Sequence, residues 1–305
     1  MNLPSRPHQL SAEIFAEFKR AAFNPKVHAY PGRLKIKKAF RLTLAQREIE
    51  ARFAAQIETD PEYFIEKYRR EFGNILNTDN ARELCADYCK SRKSRAVHSA
   101  SVQEPASALV KEIWRRMLAE EKSPGEDVVL FLAGGGGSGK TKATEEPGLK
   151  EIKQRAQIIF DTTMADPAQS IHRVEEALNA GKKVAIRYIH RPIEQAIKGV
   201  VERAVKDGRV VPINVLAHDH FNAQATIIAL AEYYRSEDGV RIVVQNNSRE
   251  GHLLQEVSVD HIQHNRYHDL AELRRRIEVV IKHEYESRKD TEDTFPDYTF
   301  QAFFD

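Results

Sequence analysis

Residues 134–141 read Gly-Gly-Gly-Gly-Ser-Gly-Lys-Thr, and the six residues before them, Val128 to Ala133, are all apolar. An unbroken apolar run of that length suits a strand covered on both faces. The glycines after it permit the tight turn by which a loop directs N–H groups at phosphate oxygens. Lys140 then bridges the terminal phosphates, and the Thr141 hydroxyl is available to Mg²⁺. Strand, glycine loop, Lys-Thr and helix start together predict binding of a nucleoside triphosphate, ATP or GTP, by Gly134, Gly135, Gly136, Gly137, Ser138, Gly139, Lys140 and Thr141. Such a loop restricts the fold to the α/β class, with a P-loop parallel sheet flanked by helices.

The rhythm downstream agrees. Apolar runs at 157–160, 184–189 and 240–244 alternate with helical patterns at 168–180, 192–206 and 219–235, as in a parallel sheet covered on both faces. Pro147-Gly148 predicts that the helix after the P-loop is short, because proline forfeits a backbone donor and clashes with the preceding turn. A last helix is expected over 268–288. After it comes an acidic tail, 289–305, rich in Phe and Tyr, which is expected to pack back on its own domain.

The front of the chain reads differently. Apolar residues recur at helical spacing from Ser11 to about Arg95, for example Ile14, Phe15 and Phe18, then Ile49, Phe53 and Ile57, with Asp60-Pro61 as a fresh helix start. One more helix follows near 106–121, and Ser123-Pro124-Gly125 breaks the pattern before the P-loop strand. The division expected is an all-helical N-terminal domain, 1–122, a P-loop domain, 123–288, and the tail. With 305 residues the chain has room for two domains.

Net charge is +2 overall but unevenly spread: residues 1–122 carry +7 and the remainder −5. The basic run Arg33 to Arg41 alternates charge with apolar residues; a solvated helical face is expected there, and nucleic-acid contact is disfavoured. The two cysteines, Cys85 and Cys89, lie four apart on a predicted helix, a spacing seldom bridged, which fits a reducing, cytoplasmic setting. No apolar stretch reaches the roughly twenty residues of a membrane span, and the N-terminus lacks a signal-peptide layout.

Chemistry is expected at the carboxyl edge of the sheet, where open α/β sheets bind ligands. Asp161, Thr162 and Thr163 end the second apolar run. A carboxylate there holds Mg²⁺ through water or accepts the proton of an attacking hydroxyl. Arg203, on the helix after the third strand, and Arg209, after the Asp207-Gly208 turn, are candidates to close over the γ-phosphate. The histidines at 218, 220, 261, 264 and 268 invite a zinc reading, but no acid at strict spacing completes a site.

These residues resemble the zeta-toxin group of P-loop kinases. The likeness rests on the P-loop, Asp161-Thr162-Thr163, Arg203, and Gly208-Arg209-Val-Val-Pro212 leading into His220, and it covers roughly 125–250. It implies transfer of a γ-phosphate to a hydroxyl of a small molecule, with UDP-N-acetylglucosamine as the acceptor of family toxins. It also implies neutralisation by helical antitoxins, so the N-terminal half is either an in-built inhibitor or a structural extension. Carried over, Lys140 and Thr141 hold phosphates and Mg²⁺, Arg203 and Arg209 clamp the transferring group, and Asp161 and Thr163 line the acceptor site with His220 nearby. One element departs from the pattern. The family usually has two strands at this point, one ending in a base Asp and one in an acceptor motif, whereas a single strand lies here between the P-loop and the 168–180 helix. Asp161 fits the acceptor motif better, which leaves the base open. A nucleotide-dependent binding module without transfer activity and a nucleic-acid end kinase are the rival readings.

Overall fold

The computed structural model describes residues 34–121, 127–143, 145, 147–248, 254–289 and 294–305. The expected helix around Ile14–Phe18 and the Ser123-Pro124-Gly125 breaker lie outside the described residues.

The described residues begin with a non-helical segment, 34–41, rather than the expected solvated helix. Leu34 and Ile36 pack against the core, while Lys35, Lys37 and Lys38 face outward. Its backbone is held by acids of the next helix: Ile36 N–H donates to Glu58 and Ala39 N–H to Glu50, both at 2.8 Å. Helix α1 (Leu44–Thr59) starts with a Thr43/Gln46 capping box, and α2 (Pro61–Phe72) starts where Asp60 accepts from Tyr63 N–H. Then comes a departure from the all-helical expectation: Ile75–Leu76 form a short strand, β1. Helices α3 (Thr78–Arg82), α4 (Ala86–Cys89), α5 (Arg92–His98) and α6 (Gln103–Ala119) complete this half.

The P-loop half alternates as expected. Strand β2 (Val128–Ala133) leads through the glycine loop to a four-residue α7 (Lys140–Ala143), and α8 (Pro147–Arg155) restarts at the proline. There follow β3 (Ala156–Asp161), α9 (Pro167–Asn179), β4 (Lys183–His190), α10 (Ile193–Asp207), α11 (Ile213–Tyr233) and β5 (Val240–Asn246). Helix α11 begins six residues before the expected start. A short β6 (Gln255–Val257), α12 (Val259–His264), α13 (Leu270–Ser287) and α14 (Asp297–Gln301) close the chain.

The six strands form one sheet in the order β1-β3-β2-β4-β5-β6, parallel throughout except for β6 on β5. Successive side chains of a strand point to opposite faces, and β2 divides accordingly. Val129, Phe131 and Ala133 join one buried cluster, Val128, Leu130 and Leu132 another. The first cluster is continuous with the N-terminal helices: Phe53, Ile57, Tyr68 and Trp114 pack with Phe131, Ile158 and Phe160. Trp114 lies edge-on to Phe160 with ring centres 5.3 Å apart, and its indole N–H donates to Glu176 on α9 at 2.9 Å. The aromatic tail packs back as expected, with Phe295 and Phe303 buried against α10, α11 and α13, and Phe303 O accepting from Ile213 N–H at 2.7 Å.

Candidate active site

The glycine loop sits at the carboxyl end of β2, in the middle of the sheet. Gly134, Gly137 and Gly139 adopt φ of 131°, 75° and 97°, conformations in which a Cβ is strained. Gly137 is also closed in sterically, since a Cβ there would run into the Ala196 carbonyl oxygen.

Five consecutive loop carbonyls are taken up by side chains. Lys140 Nζ donates to Gly134 O at 2.6 Å and Gly135 O at 3.4 Å, His220 Nε2–H to Gly136 O at 2.9 Å, Arg191 to Gly137 O at 3.2 Å, and Asn247 to Ser138 O at 2.7 Å. With its carbonyls turned toward these donors, the loop is shaped as an anion cradle. The Ser138 hydroxyl oxygen is buried without a partner at the same place, so the residues fit a bound phosphate chain. His190, Arg191, Gln224 and Tyr267 gather beside Gly135 and Ser138.

His220 therefore lies beneath the loop, its ring in the space a Gly135 Cβ would occupy. Burial pushes its pKa down to about 4, with the Gly136 hydrogen bond opposing, so the imidazole is neutral at pH 7. His190 is likewise pushed down to about 4 by burial and by the charge of His261. Among the described residues no group of three metal-ligating side chains converges. His264 is occupied with the Asp260 carbonyl at 2.6 Å.

Lys140 Nζ also lies 3.8 Å from Asp161 Oδ1. Burial lowers the pKa of Lys140 and raises that of Asp161, while their mutual attraction opposes both shifts. The other Asp161 oxygen accepts a 2.7 Å hydrogen bond from the Asn77 carboxamide, which comes from the N-terminal half. Thr162 follows with its hydroxyl accepting from Met164 N–H at 3.2 Å, and Met164 sits at φ 53°, the described non-glycine residue with positive φ.

Arg203 and Arg209 flank the end of α10. Gly208, left-handed at φ 76°, ends α10 and turns the chain back, so that Arg209 reaches Asp207 at 3.0 Å while its charge acts on Arg203. Burial and the neighbouring Arg209 lower the Arg203 pKa, with Asp79, Asp161 and Asp207 opposing. The turn is braced from the N-terminal half: Arg92 donates to Val205 O at 3.1 Å, and Ser99 to Val210 O at 3.4 Å.

Sequence reasoning did not single out Asn77, Asp79, Arg191, Asp219 or Asn247. Arg191 sits at the carboxyl edge of β4 and was findable from that rule alone. Asp219 lies beside His220 on α11, and burial raises its pKa to about 6 against the charges of His218 and Lys140. Asn77 and Asp79 carried no signal, since their place depends on a two-residue strand.

A mostly parallel sheet with a braced glycine loop at its carboxyl edge defines a P-loop kinase-like protein of the α/β class. The family model described as Zeta toxin matches residues 149–256. The match begins after the P-loop itself. A search of curated proteins gives no match. Among solved structures, a crystal structure of AvrRxo1-ORF1 with AvrRxo1-ORF2 and sulphate ions is similar at 12% identity, covering 88% of this chain and 91% of that one with a TM-score of 0.44. The native AvrRxo1-ORF1 and -ORF2 complex gives 10% identity, 88% and 96% coverage, and a TM-score of 0.42.

Proposed function

We propose that the protein is a phosphotransferase that moves the γ-phosphate of ATP or GTP to a hydroxyl of a small molecule. The observation that carries this reading is the pairing of Lys140 with a carboxylate, Asp161, at 3.8 Å at the mouth of a braced glycine loop. Lys140 would release its loop carbonyls to hold the β- and γ-phosphates, and the loop N–H groups would hold the rest of the chain. Arg203 and Arg209 would meet the charge that spreads over the γ-phosphate oxygens in the transition state. Thr141 and Asp161 fit a magnesium ion, which would neutralise phosphate charge when bound. Thr162 and Thr163 would line the acceptor side. His220, held against Gly136, fits the shape of the loop better than direct contact with an acceptor.

The zeta-toxin match supports phosphotransfer and makes a nucleotide sugar such as UDP-N-acetylglucosamine the first acceptor to try. The N-terminal half supports catalysis in this reading rather than restraining it, because it contributes a strand to the sheet, a wall to its core and a bond to Asp161. Incubation of the purified chain with γ-labelled ATP, Mg²⁺ and a panel of nucleotide sugars, nucleosides and dinucleotides tests the proposal. Label moving to one acceptor, and not with Lys140→Ala, is expected. Tight ATP binding with no transfer would turn the reading to a nucleotide-dependent binding module.

A further inference from the structure

The segment that leads into α1 is strongly one-signed. Residues 34–48 hold five bases, Lys35, Lys37, Lys38, Arg41 and Arg47, against one acid, Glu48, and all six are exposed. Among the described residues none forms an ion pair with any of the five bases. The segment is nevertheless fixed in place. Leu34 and Ile36 pack on the core, and the backbone N–H groups of Ile36 and Ala39 donate to Glu58 and Glu50 of α1 at 2.8 Å. Anchored through its backbone and two apolar side chains, it keeps its cations in solvent instead of folding them onto carboxylates.

Two large apolar side chains stand out from the same stretch. Phe40 is 96% exposed and Leu44 77%, the two highest values among the exposed large hydrophobic residues described. The Gln46 carboxamide donates to Val97 O at 2.9 Å, which brings α5 alongside, and Val97 is itself exposed. A single apolar residue on a surface is ordinary. Two within five positions, interleaved in sequence with free cations, make a surface that is both basic and apolar.

Single-stranded nucleic acid binds such residues through aromatic rings that serve as flat stacking platforms along a groove. Phe40 stands almost wholly clear of the protein, so no groove wall supports it, and Leu44 has no ring to stack. A bilayer interface asks for apolar side chains that stand free, to enter between headgroups, with cations beside them to meet anionic lipid charge. We propose that residues 35–47 are a docking surface for a membrane rich in anionic phospholipid, with the five bases at the headgroups and Phe40 and Leu44 entering the acyl boundary. Attachment is peripheral, since no described helix is long and apolar enough to cross a bilayer. Each cation and each apolar side chain adds only a modest factor to such binding, so stable attachment takes both sets.

The test sediments the full-length chain with vesicles of phosphatidylcholine alone, or of phosphatidylcholine with about 30% phosphatidylserine, at about 0.1 M salt. Binding at least about tenfold stronger to the anionic vesicles is expected, falling about tenfold or more as salt rises to about 0.5 M. The variants Lys35→Glu/Lys37→Glu/Lys38→Glu and Phe40→Ser/Leu44→Ser should each weaken binding by about tenfold or more, with thermal melts unchanged because the altered side chains are exposed. Arg41→Glu/Arg47→Glu gives the same reading should the lysine variant not fold. Equal binding to neutral vesicles, binding to neither, or wild-type binding by the folded variants overturns the proposal. A labelled single-stranded oligonucleotide that binds while vesicles do not assigns the surface to nucleic acid instead, and a dimer dissolved by Phe40→Ser/Leu44→Ser assigns it to a second copy of the chain. Vesicle binding is read without any phosphate transfer, so its outcome is independent of the phosphotransferase reading.

Discussion

The Asn77 carboxamide donates a 2.7 Å hydrogen bond to the Asp161 carboxylate across 84 positions of sequence. Through that bond the front of the chain touches the residue that faces the P-loop lysine. The same front half lays β1 along β3 and packs Trp114 on Phe131 and Phe160. The surroundings of Asp161 are thus built from both halves of the chain.

Lys140 carries the largest expected loss. Lys140→Ala should abolish phosphate transfer, because nothing else in the loop brings a mobile positive charge to the β- and γ-phosphates. Measurable transfer by a folded Lys140→Ala chain would remove the P-loop from the reaction.

Arg209→Ala should slow transfer by roughly a hundredfold or more if that guanidinium stabilises the transition state. Its partner Asp207 is a half-buried neighbour in the same turn, so the fold should survive. Near-normal turnover would take Arg209 out of the mechanism.

Gly137→Ala and Gly73→Ala separate two costs. Both positions have positive φ, but a Cβ on Gly73 meets open space while one on Gly137 meets the Ala196 carbonyl. Gly73→Ala should cost about 1–2 kcal/mol by conformation alone. Gly137→Ala should cost more and abolish binding of a fluorescent ATP analogue. Denaturant titration and analogue binding, side by side, check the contrast.

Tyr68→Phe removes the hydroxyl that ties β1 to the start of α3. Loss of the partner for Asn77 N–H should destabilise by about 1–3 kcal/mol, seen as a lower urea midpoint. An unchanged midpoint would mean that water replaces the hydroxyl at no cost.

Acid should weaken the fold through His190 and His220. Both have pKa pushed down to about 4 by burial, while an unfolded imidazole titrates near 6.5. Between those values the unfolded chain binds more protons, so stability falls as pH drops from about 6.5 toward 4. At pH 5 each histidine should cost on the order of 2 kcal/mol. Asp219, raised to about 6 by burial, acts oppositely: its contribution declines as pH rises from about 4 to 6. Thermal melts between pH 7.5 and 5 should show a shallower loss in His220→Gln than in wild type, and equal slopes would count against a neutral buried His220.

The sequence alone carried the P-loop, the α/β rhythm behind it and the short helix ended before Pro147, because each is written in local chemistry. Glycines allow positive φ, proline forbids a helix interior, and an apolar run of six needs cover on both faces. Asp161 was legible as the end of a strand and Arg209 as the residue after a helix-ending turn, and the structure sets Lys140 3.8 Å from Asp161. Tertiary structure alone decided that Ile75–Leu76 is a strand and that its exit brings Asn77 to Asp161. Two residues have no periodicity to read. Their conformation is set by the backbone partners β3 offers and by a tyrosine hydroxyl arriving from the preceding helix. The same holds for His220, Arg191 and Asn247, whose role as loop braces comes from carbonyls that lie far away in sequence and near only once the sheet has formed.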